Sequence, residues 1–486
     1  MSNEKLYNIP IISRGRIIEP GDDAIEFGGR TGARFRCPNP AQHVSDLLLR
    51  DGSALSDLAA LSTDEILDFL AELGPRLALD KNPWMQEAFE LCLAAGGLTE
   101  PVLRPVYQGI VKLFERERLE PSIDAKVGKD YLDGWVEQGK PGRSRTRIRA
   151  FGTRQVHITA GNVPVVAALT VINTALTKGD SLIKLPSNDP LTACAIVRTM
   201  IEMAPDHPVT RHFAVAYWKG GDEVLERQLF HPSAIQRITA WGGMSSMTHI
   251  QKYLVPGIEL IPMNPKLSIS IVGKEAFDSA DNMKSVATGI ALMAGRMNQT
   301  ACSSTRVVYV ESDLSDESLD QLEALGNEVY TAFQNLPEYE STPAKDPNPE
   351  LDAELEALSL DDTFYRVIGD TIKGGAVVSR VPEPVEFAED LNNRIVNLVP
   401  VEDIREVCQW VSEETQTVGI YPEKLRQSMR DELALNGVQR TIPLGESLLK
   451  AGLEDPSEQA RMPHDGGEPL RRMLRWIVDQ SADPEV

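Results

Sequence analysis

The sequence predicts an α/β protein centred on a doubly wound parallel sheet, and three features of its pattern carry that expectation. Residues 41 to 120 read as helices. Residues 154 to 275 alternate short apolar runs with helical periods. Extended runs return after an acidic, proline-interrupted stretch from Leu336 to Asp362.

In the helical region, Ser62-Thr63-Asp64-Glu65 has the spacing of a capping box, and ILDFLAELGPRLAL continues at helical period to Gly74-Pro75. From Arg145 to Ile158 the runs RTRIRAFG and RQVHI predict strands. The alternating region then opens with RQVHITAG as a strand, VPVVAALTVINTALTKG as a helix and DSLIKLP as a strand. LTACAIVRTMIEMA is a helix, HFAVAYW a strand and DEVLERQLF a short helix. AIQRITAWGG is a strand, SSMTHIQKYL a helix, and ELIPMNPKLSISIVG returns to extended structure. Ligands of such sheets lie at the carboxyl ends of the strands. The segment from Leu336 to Asp362 is expected as a surface excursion, helical towards its end. FYRVIGDTIKGGAVVSRV and RIVNLVPV predict further strands, and LRRMLRWIV a terminal helix packed on the body.

A chain of 486 residues accommodates two or three domains or one interlocked unit. Its 42% hydrophobic and 25% charged residues suit a globular protein with a sizeable core. A net charge of −23 opposes broad binding to nucleic acid or an anionic membrane, while leaving room for a local site for a polyanionic cofactor. The longest apolar run, Val163 to Leu176, is broken by Thr170, Asn173 and Thr174 and falls short of the roughly 20 residues of a membrane span. The start, MSNEKLYNIP, lacks the basic and apolar regions of a signal peptide. Cys37, Cys92, Cys194, Cys302 and Cys408 are scattered, odd in number and without metal-ligand spacing. They predict no metal site and a reducing, cytoplasmic setting, and four of them read as small buried hydrophobes.

Four stretches fall in a telling order: ITAGNVP (158–164), LIKLPSNDPLTA (182–193), ITAWGGMSS (238–246) and GRMNQTACSSTRVVYV (295–310). Their order and separation resemble the aldehyde dehydrogenase superfamily. MNPKLSISIV (263–272), NLVPV (397–401), TQTVGIYPE (415–423), GVQRTIPLG (437–445) and MPHDG (462–466) narrow the likeness to one branch. That branch contains the long-chain fatty acyl-CoA reductase of bacterial bioluminescence. The resemblance covers roughly residues 40 to 480. It implies an aldehyde-dehydrogenase-like fold, with a doubly wound nucleotide-binding domain, an α/β catalytic domain and a small oligomerisation arm. The expected divisions are 1–127 (the N-terminal helical part of the nucleotide-binding domain), 128–152 (arm strands), 153–265 (the nucleotide-binding α/β part), 266–435 (catalytic) and 436–486 (C-terminal arm and return).

Cys302, in NQTACSST, stands where the superfamily carries its nucleophile. A thiolate attacks thioester and aldehyde carbonyls well and departs well. Asn162 corresponds to the asparagine that, with the nucleophile's backbone N–H, holds the oxyanion of the tetrahedral intermediate. Taken apart from the resemblance, Asn162 reads as a helix N-cap. Lys184 matches a lysine that contacts the adenosine ribose, and Ser187 stands where many NAD-preferring relatives have a glutamate. Without that carboxylate a 2′-phosphate meets no repulsion and Lys184 attracts it, which points to NADPH. Gly242 and Gly243 follow a strand and precede a helix beginning near Ser245, where a pyrophosphate could approach backbone N–H groups.

Met263 replaces the glutamate that hydrolytic dehydrogenases use as general base, with Glu259 four residues upstream as a substitute if the alignment carries a gap. The glutamate that orients the nicotinamide ribose has no clean match near LNNRIVNLVP; Glu389 and Asp390 lie nearby without assignment. His157 reads as structural, and His464 belongs to the PHDG phrase of the reductase branch. The expected activity is NADPH-dependent reduction of an acyl-CoA, a fatty acyl-CoA in particular, to the aldehyde. The resemblance adds a homo-oligomer and an acyl-transferring protein partner. The rivals are a hydrolytic aldehyde dehydrogenase, an acyl-phosphate reductase on the same scaffold, and a catalytically silent scaffold.

Overall fold

Strands covered on both faces must be buried along most of their length, and the runs between residues 154 and 263 meet that demand. The structure, a computed structural model, describes residues 5–28, 32–138, 145–446 and 461–481. It divides into two units, one of Met1–Gly96, Val106–Asn264 and Gly452–Val486, the other of Gly97–Pro105 and Pro265–Ala451. The strands of the first unit begin with β1 (Leu6–Asn8), β2 (Ile11–Ser13), β3 (Arg16–Ile18), β4 (Ile25–Gly28) and β5 (Arg34–Cys37). There follow β6 (Val136–Gln138), β7 (Arg145–Phe151), β8 (Arg154–Ile158), β9 (Asp180–Lys184), β10 (Phe213–Ala216), β11 (Arg237–Trp241) and β12 (Glu259–Met263).

The main sheet of this unit has seven strands in the order β12-β11-β8-β9-β10-β2-β3. The five from β8 to β12 run parallel, and the β2–β3 hairpin joins antiparallel at β10. Alternation sorts the side chains by face. Val156, Leu182, Ala214 and Ile238 pack with Trp218, Leu225, Met247 and Ile250. On the opposite face of β8, His157 meets Thr174 of the helix Val165–Leu176. Helices on both faces are the doubly wound arrangement expected from the sequence.

The second unit holds β13 (Leu267–Val272), β14 (Thr305–Glu311), β15 (Tyr365–Asp370), β16 (Gly374–Ser379), β17 (Ile395–Val401), β18 (Thr415–Tyr421) and β19 (Arg440–Pro443). They form one sheet in the order β15-β16-β17-β14-β13-β18-β19, parallel except at β15. Val308 and Val310 of β14 pack with Val286, Ile290, Leu322 and Val329 of the helices Ala280–Gly295 and Asp316–Gln334. Val307 and Tyr309, pointing the other way, join Ile271, Val399, Met429 and Leu433. The acidic excursion carries a helix at Pro349–Ser359, capped by Asn348, as its expected helical end requires.

Two expectations need correction. The segment LRRMLRWIV is helical only over Pro469–Arg472; Arg475–Ser481 is a strand, β20. It pairs antiparallel with β7, which in turn pairs with β6, forming a three-stranded sheet. The hydrogen bonds that β7 offers along its edge override a helical reading of so short a segment. Likewise, 1–127 is not wholly helical, because β1 to β5 occupy Leu6–Cys37. Each has three or four residues, too few for a visible period. The helix Thr63–Arg76 does begin with the Ser62/Glu65 capping box, and it takes Pro75 into its last turn. Among the described residues no helix is long and apolar enough to cross a membrane.

Ile271 is fully buried on β13 within the apolar layer around Val307 and Val418. Ile271→Ala is expected to destabilise the protein by about 2–5 kcal/mol, read as a lower urea midpoint.

Candidate active site

In the first unit, parallel pairing brings several sequence-predicted residues to one edge. Ala240 pairs with Ile158, and Ile158 with Lys184, so β11, β8 and β9 end side by side. The segments carrying Asn162, Ser187 and the Gly242–Gly243 pair all leave from these carboxyl ends. Thr159 joins two of them by donating from its N and Oγ1 to the Lys184 carbonyl, at 3.3 and 2.9 Å. Gly161 fits closely against the next loop: a Cβ there would lie 2.1 Å from Asn188 Oδ1 and 2.8 Å from Pro186 Cγ.

Asn162 is exposed in the turn before the helix Val165–Leu176. The cap of that helix is Pro164, so the N-cap reading of Asn162 does not hold. Lys184 is largely buried rather than a solvated strand end, and burial pulls its ammonium down to about 8 while Glu226 acts in the opposite direction. Its Nζ lies 5.4 Å from the centre of the Trp218 ring, and among the described residues it has no hydrogen bond or ion pair. Ser187 is half-buried in the following turn.

Beside Lys184 lies a residue that the sequence did not single out. Glu226, almost fully buried, accepts from Trp218 Nε1 at 3.2 Å and Tyr253 Oη at 2.9 Å, and contacts His249 Nε2 at 2.6 Å. Within DEVLERQLF it looks like an ordinary solvated helix glutamate. Only packing shows otherwise.

The helix after the glycine pair spans Met244–Gln251, one residue earlier than expected, and Gly243 caps it without a side-chain bond. Around a Cβ at Gly243 there is open space, while one at Gly242 would lie 3.0 Å from Ser246 Cβ. Ser245 is exposed in the first turn. Uncapped backbone amides, open space and an ammonium without an anionic bond fit the phosphates of a dinucleotide. His464 closes a tight bridge with Gly467, and its ring packs 5.4 Å from that of Trp241, directly before the glycine pair. His157 is buried, with its basicity pulled down to about 3 by desolvation, and its Nε2 lies 3.2 Å from Thr174 Oγ1.

The geometry of β12 separates Glu259 from Met263. Glu259 opens the strand beside Arg237, and its carboxylate pairs with Arg237 and Arg472 at 3.3 and 3.0 Å. Met263 ends the strand beside Trp241 and is buried. Glu259 therefore lies at the edge opposite the glycine pair, already neutralised.

In the second unit, Cys302 is the exposed cysteine of a turn between Arg296–Gln299 and β14, whereas Cys37, Cys92 and Cys194 are buried and Cys408 is half-buried. Burial pushes the Cys37 thiol up to about 12. Met297, Asn298 and Gln299, just before the turn, all have left-handed backbone, with φ of 53°, 51° and 64°. For side chains with a Cβ this costs roughly 1–2 kcal/mol each, so other contacts must hold it. Asn298 Oδ1 accepts from Thr342 N at 2.9 Å and Ser341 Oγ at 3.1 Å. Gln299 Nε2 donates to the Thr305 and Ile395 carbonyls at 2.9 and 2.8 Å, and its Oε1 accepts from Ile395 N at 3.0 Å.

Cys302 is held from two further sides. Ser268 Oγ donates to the Cys302 carbonyl at 2.8 Å, and Gln416 Nε2 donates to Cys302 Sγ at 3.1 Å. Arg306, four residues on, donates to the Leu391 carbonyl at 2.9 Å and interacts electrostatically with Asp390, Cys302 and Glu389. Burial lowers its basicity against those three influences. Asn397 accepts from Val385 N and donates to the Val377 carbonyl and Ser379 Oγ, so it is committed to the sheet. The motif phrases around Cys302 and Gln416 pointed to this region, but the individual roles of Asn298, Gln299, Ser268 and Gln416 emerge only from these contacts.

A family model described as acyl-CoA reductase (LuxC) matches residues 58–476, most of the chain. The chain belongs to this family. Members of the acyl-CoA reductase (LuxC) family are oxidoreductases, and several relatives are similar along much of their length. The long-chain acyl-protein thioester reductase of Vibrio harveyi is 24% identical over 97% of this chain and 92% of its own. The protein of that name from Aliivibrio fischeri is 26% identical over 87% and 83%. Among solved structures, the NADP-dependent glyceraldehyde-3-phosphate dehydrogenase of Bacillus halodurans in complex with NADP matches with a TM-score of 0.71 at 15% identity, over 98% of this chain and 99% of that one. Lactaldehyde dehydrogenase of Escherichia coli matches with a TM-score of 0.70 at 16% identity, over 98% and 99%. These likenesses establish the aldehyde dehydrogenase fold across the LuxC-family chain.

The close fit at Gly161 yields a test. Gly161→Ala must displace Asn188 or Pro186, and with them the loop carrying Ser187. Weaker binding of a nicotinamide dinucleotide is expected, measured by fluorescence titration, with a smaller loss of thermal stability.

Proposed function

We propose that this LuxC-family protein reduces an acyl-CoA, a fatty acyl-CoA in particular, to the aldehyde with NADPH, through an acyl thioester on Cys302. The observation that carries this reading is the exposed Cys302 on its anchored turn, whose sulfur accepts a hydrogen bond from the buried amide of Gln416 on β18. An inert cysteine is ordinarily buried and free of such a donor.

In the proposed reaction the Cys302 thiolate attacks the thioester carbonyl, and Asn162 donates to the resulting oxyanion. The carbon–sulfur bond to CoA breaks, CoA leaves as a thiolate that takes a proton from solvent, and the acyl group stays on Cys302. NADPH, when bound, would supply the hydride that adds to the carbonyl carbon of this thioester and leaves the thiohemiacetal as its oxyanion. Cys302 then departs as the thiolate and the aldehyde is released. Lys184, Ser187, Gly242, Gly243 and Ser245 are assigned to the cofactor, with Lys184 drawing the 2′-phosphate and the glycine pair admitting the pyrophosphate. The first unit thus takes the nucleotide and the second the nucleophile. The sheet of β6, β7 and β20 is assigned to homo-oligomerisation, and the cytoplasm is the proposed setting.

A buried methionine at position 263 and a neutralised Glu259 favour acyl transfer over hydrolysis, because neither activates water. The names of the Vibrio harveyi and Aliivibrio fischeri relatives favour a second acyl donor for the same chemistry, a thioester on a partner protein. Attack on either donor breaks the same carbon–sulfur bond.

Incubation with long-chain acyl-CoA without cofactor is expected to add one acyl group at Cys302, seen by peptide mass spectrometry. Persistent acylation and reductase activity in Cys302→Ala would sink the mechanism. With aldehyde and NADP⁺, a burst of about one turnover followed by a CoA-dependent rate is expected when deacylation lacks a base. Sustained release of free acid without CoA would establish the hydrolytic dehydrogenase. Aldehyde formed from acyl phosphate, and none from acyl-CoA or an acyl-protein thioester, would establish the acyl-phosphate reductase.

Cofactor choice has its own test. Ser187→Glu is expected to weaken NADPH use relative to NADH by about 1.5–3 kcal/mol at most. Lys184 is charged below about 8 and neutral above it, so NADPH affinity should fall as pH rises through that value. Equal use of both cofactors, insensitive to this substitution and to pH, would remove the assignment.

A further inference from the structure

We propose that Gln416 is a catalytic residue whose side-chain N–H stabilises the Cys302 thiolate. This inference rests on the reading of Cys302 as the nucleophile. Gln416 lies near the start of β18 and is only 4% exposed. Its Nε2 stands 3.1 Å from Cys302 Sγ. A hydrogen bond donated to the charged form of an ionisable group favours that form. The carboxamide cannot accept the thiol proton as a base would, so the proton goes to solvent and the donor remains with the sulfur.

The neighbouring residue makes this contact part of a larger clamp. Thr417 N donates to Ser268 Oγ at 3.2 Å, and the same hydroxyl donates to the Cys302 carbonyl. The start of β18 therefore holds the nucleophile by its main chain through Ser268 and by its sulfur through Gln416. Thr417 Oγ1 lies 3.5 Å from Gln416 Oε1, and the nitrogen end of the amide faces the sulfur. Two cations also belong to these surroundings. Arg306 on β14 interacts with Cys302, and Arg440 on β19 reaches Thr417 Oγ1 at 3.5 Å. Asp390 and Glu389 act on Arg306. None of these groups is changed in the variants below.

The test is the rate of iodoacetamide labelling of Cys302 in the full-length protein, without substrate or cofactor, followed from neutral to alkaline pH. Gln416→Met removes the donor at similar volume. It is expected to label about tenfold more slowly at pH 7, the effect of one pH unit on thiolate population, and to regain the wild-type rate at alkaline pH. Gln416→Glu keeps the side-chain shape, so it preserves the comparison if the methionine variant does not fold. A carboxylate beside the sulfur should slow labelling at pH 7 further. Profiles that superimpose on wild type, or that fall by one factor at every pH, would overturn the proposal and leave Gln416 a packing role. Labelling needs no acyl donor, so this result stands apart from the acyl-CoA test. Normal acyl-enzyme formation with unchanged labelling would remove only the role of Gln416.

Discussion

Parallel pairing is the constraint from which the first unit follows. When β8, β9 and β11 run in one direction, their carboxyl ends share an edge and the connecting helices must cover the faces. Asn162, Lys184, Ser187 and the glycine pair are far apart in the chain and meet there because each follows or ends one of these strands. The same geometry places Glu259. Four residues separate it from Met263, but along an extended strand they place it at the opposite end, beside the guanidinium groups of Arg237 and Arg472.

A different constraint governs the turn that carries Cys302. Three consecutive left-handed residues with side chains do not form by local preference, so the surrounding structure must impose them. Asn298 and Gln299 do this through amides that bind backbone beyond their own segment, at Thr342 and Ile395. Their buried polar groups are satisfied by the conformation they enforce, and a relaxed backbone would leave them unpaired. Ser268 and Gln416 then fix opposite ends of Cys302. The turn is exposed, yet its placement is set from the interior of the sheet.

Burial also changes what two charged residues mean. Lys184 keeps an ammonium in a site of reduced solvation, and Glu226 lies near it among Trp218, His249 and Tyr253. A lysine so placed responds strongly to an arriving anion, because little water screens the interaction. A solvated lysine on the same strand would respond weakly.

The sequence by itself determined the fold family and the strand–helix alternation, and it singled out Cys302 among the five cysteines, since motif order and hydrophobic period are properties of the linear chain. It also placed Asn162, Lys184, Ser187, Gly242, Gly243 and Ser245 near strand ends, because those positions are local. Tertiary structure decided the rest. The strands of Leu6–Cys37 are too short to show a period, and Arg475–Ser481 becomes a strand because β7 offers it a pairing edge. Glu226 looks solvated until its helix packs, and Gln416 is an alternating strand residue until β18 lies beside β13 and presents it to the sulfur. Such roles depend on contacts between different elements, at a separation of 23 and 27 residues for His249 and Tyr253 with Glu226 and of 114 for Gln416 with Cys302, and local pattern carries no information about them.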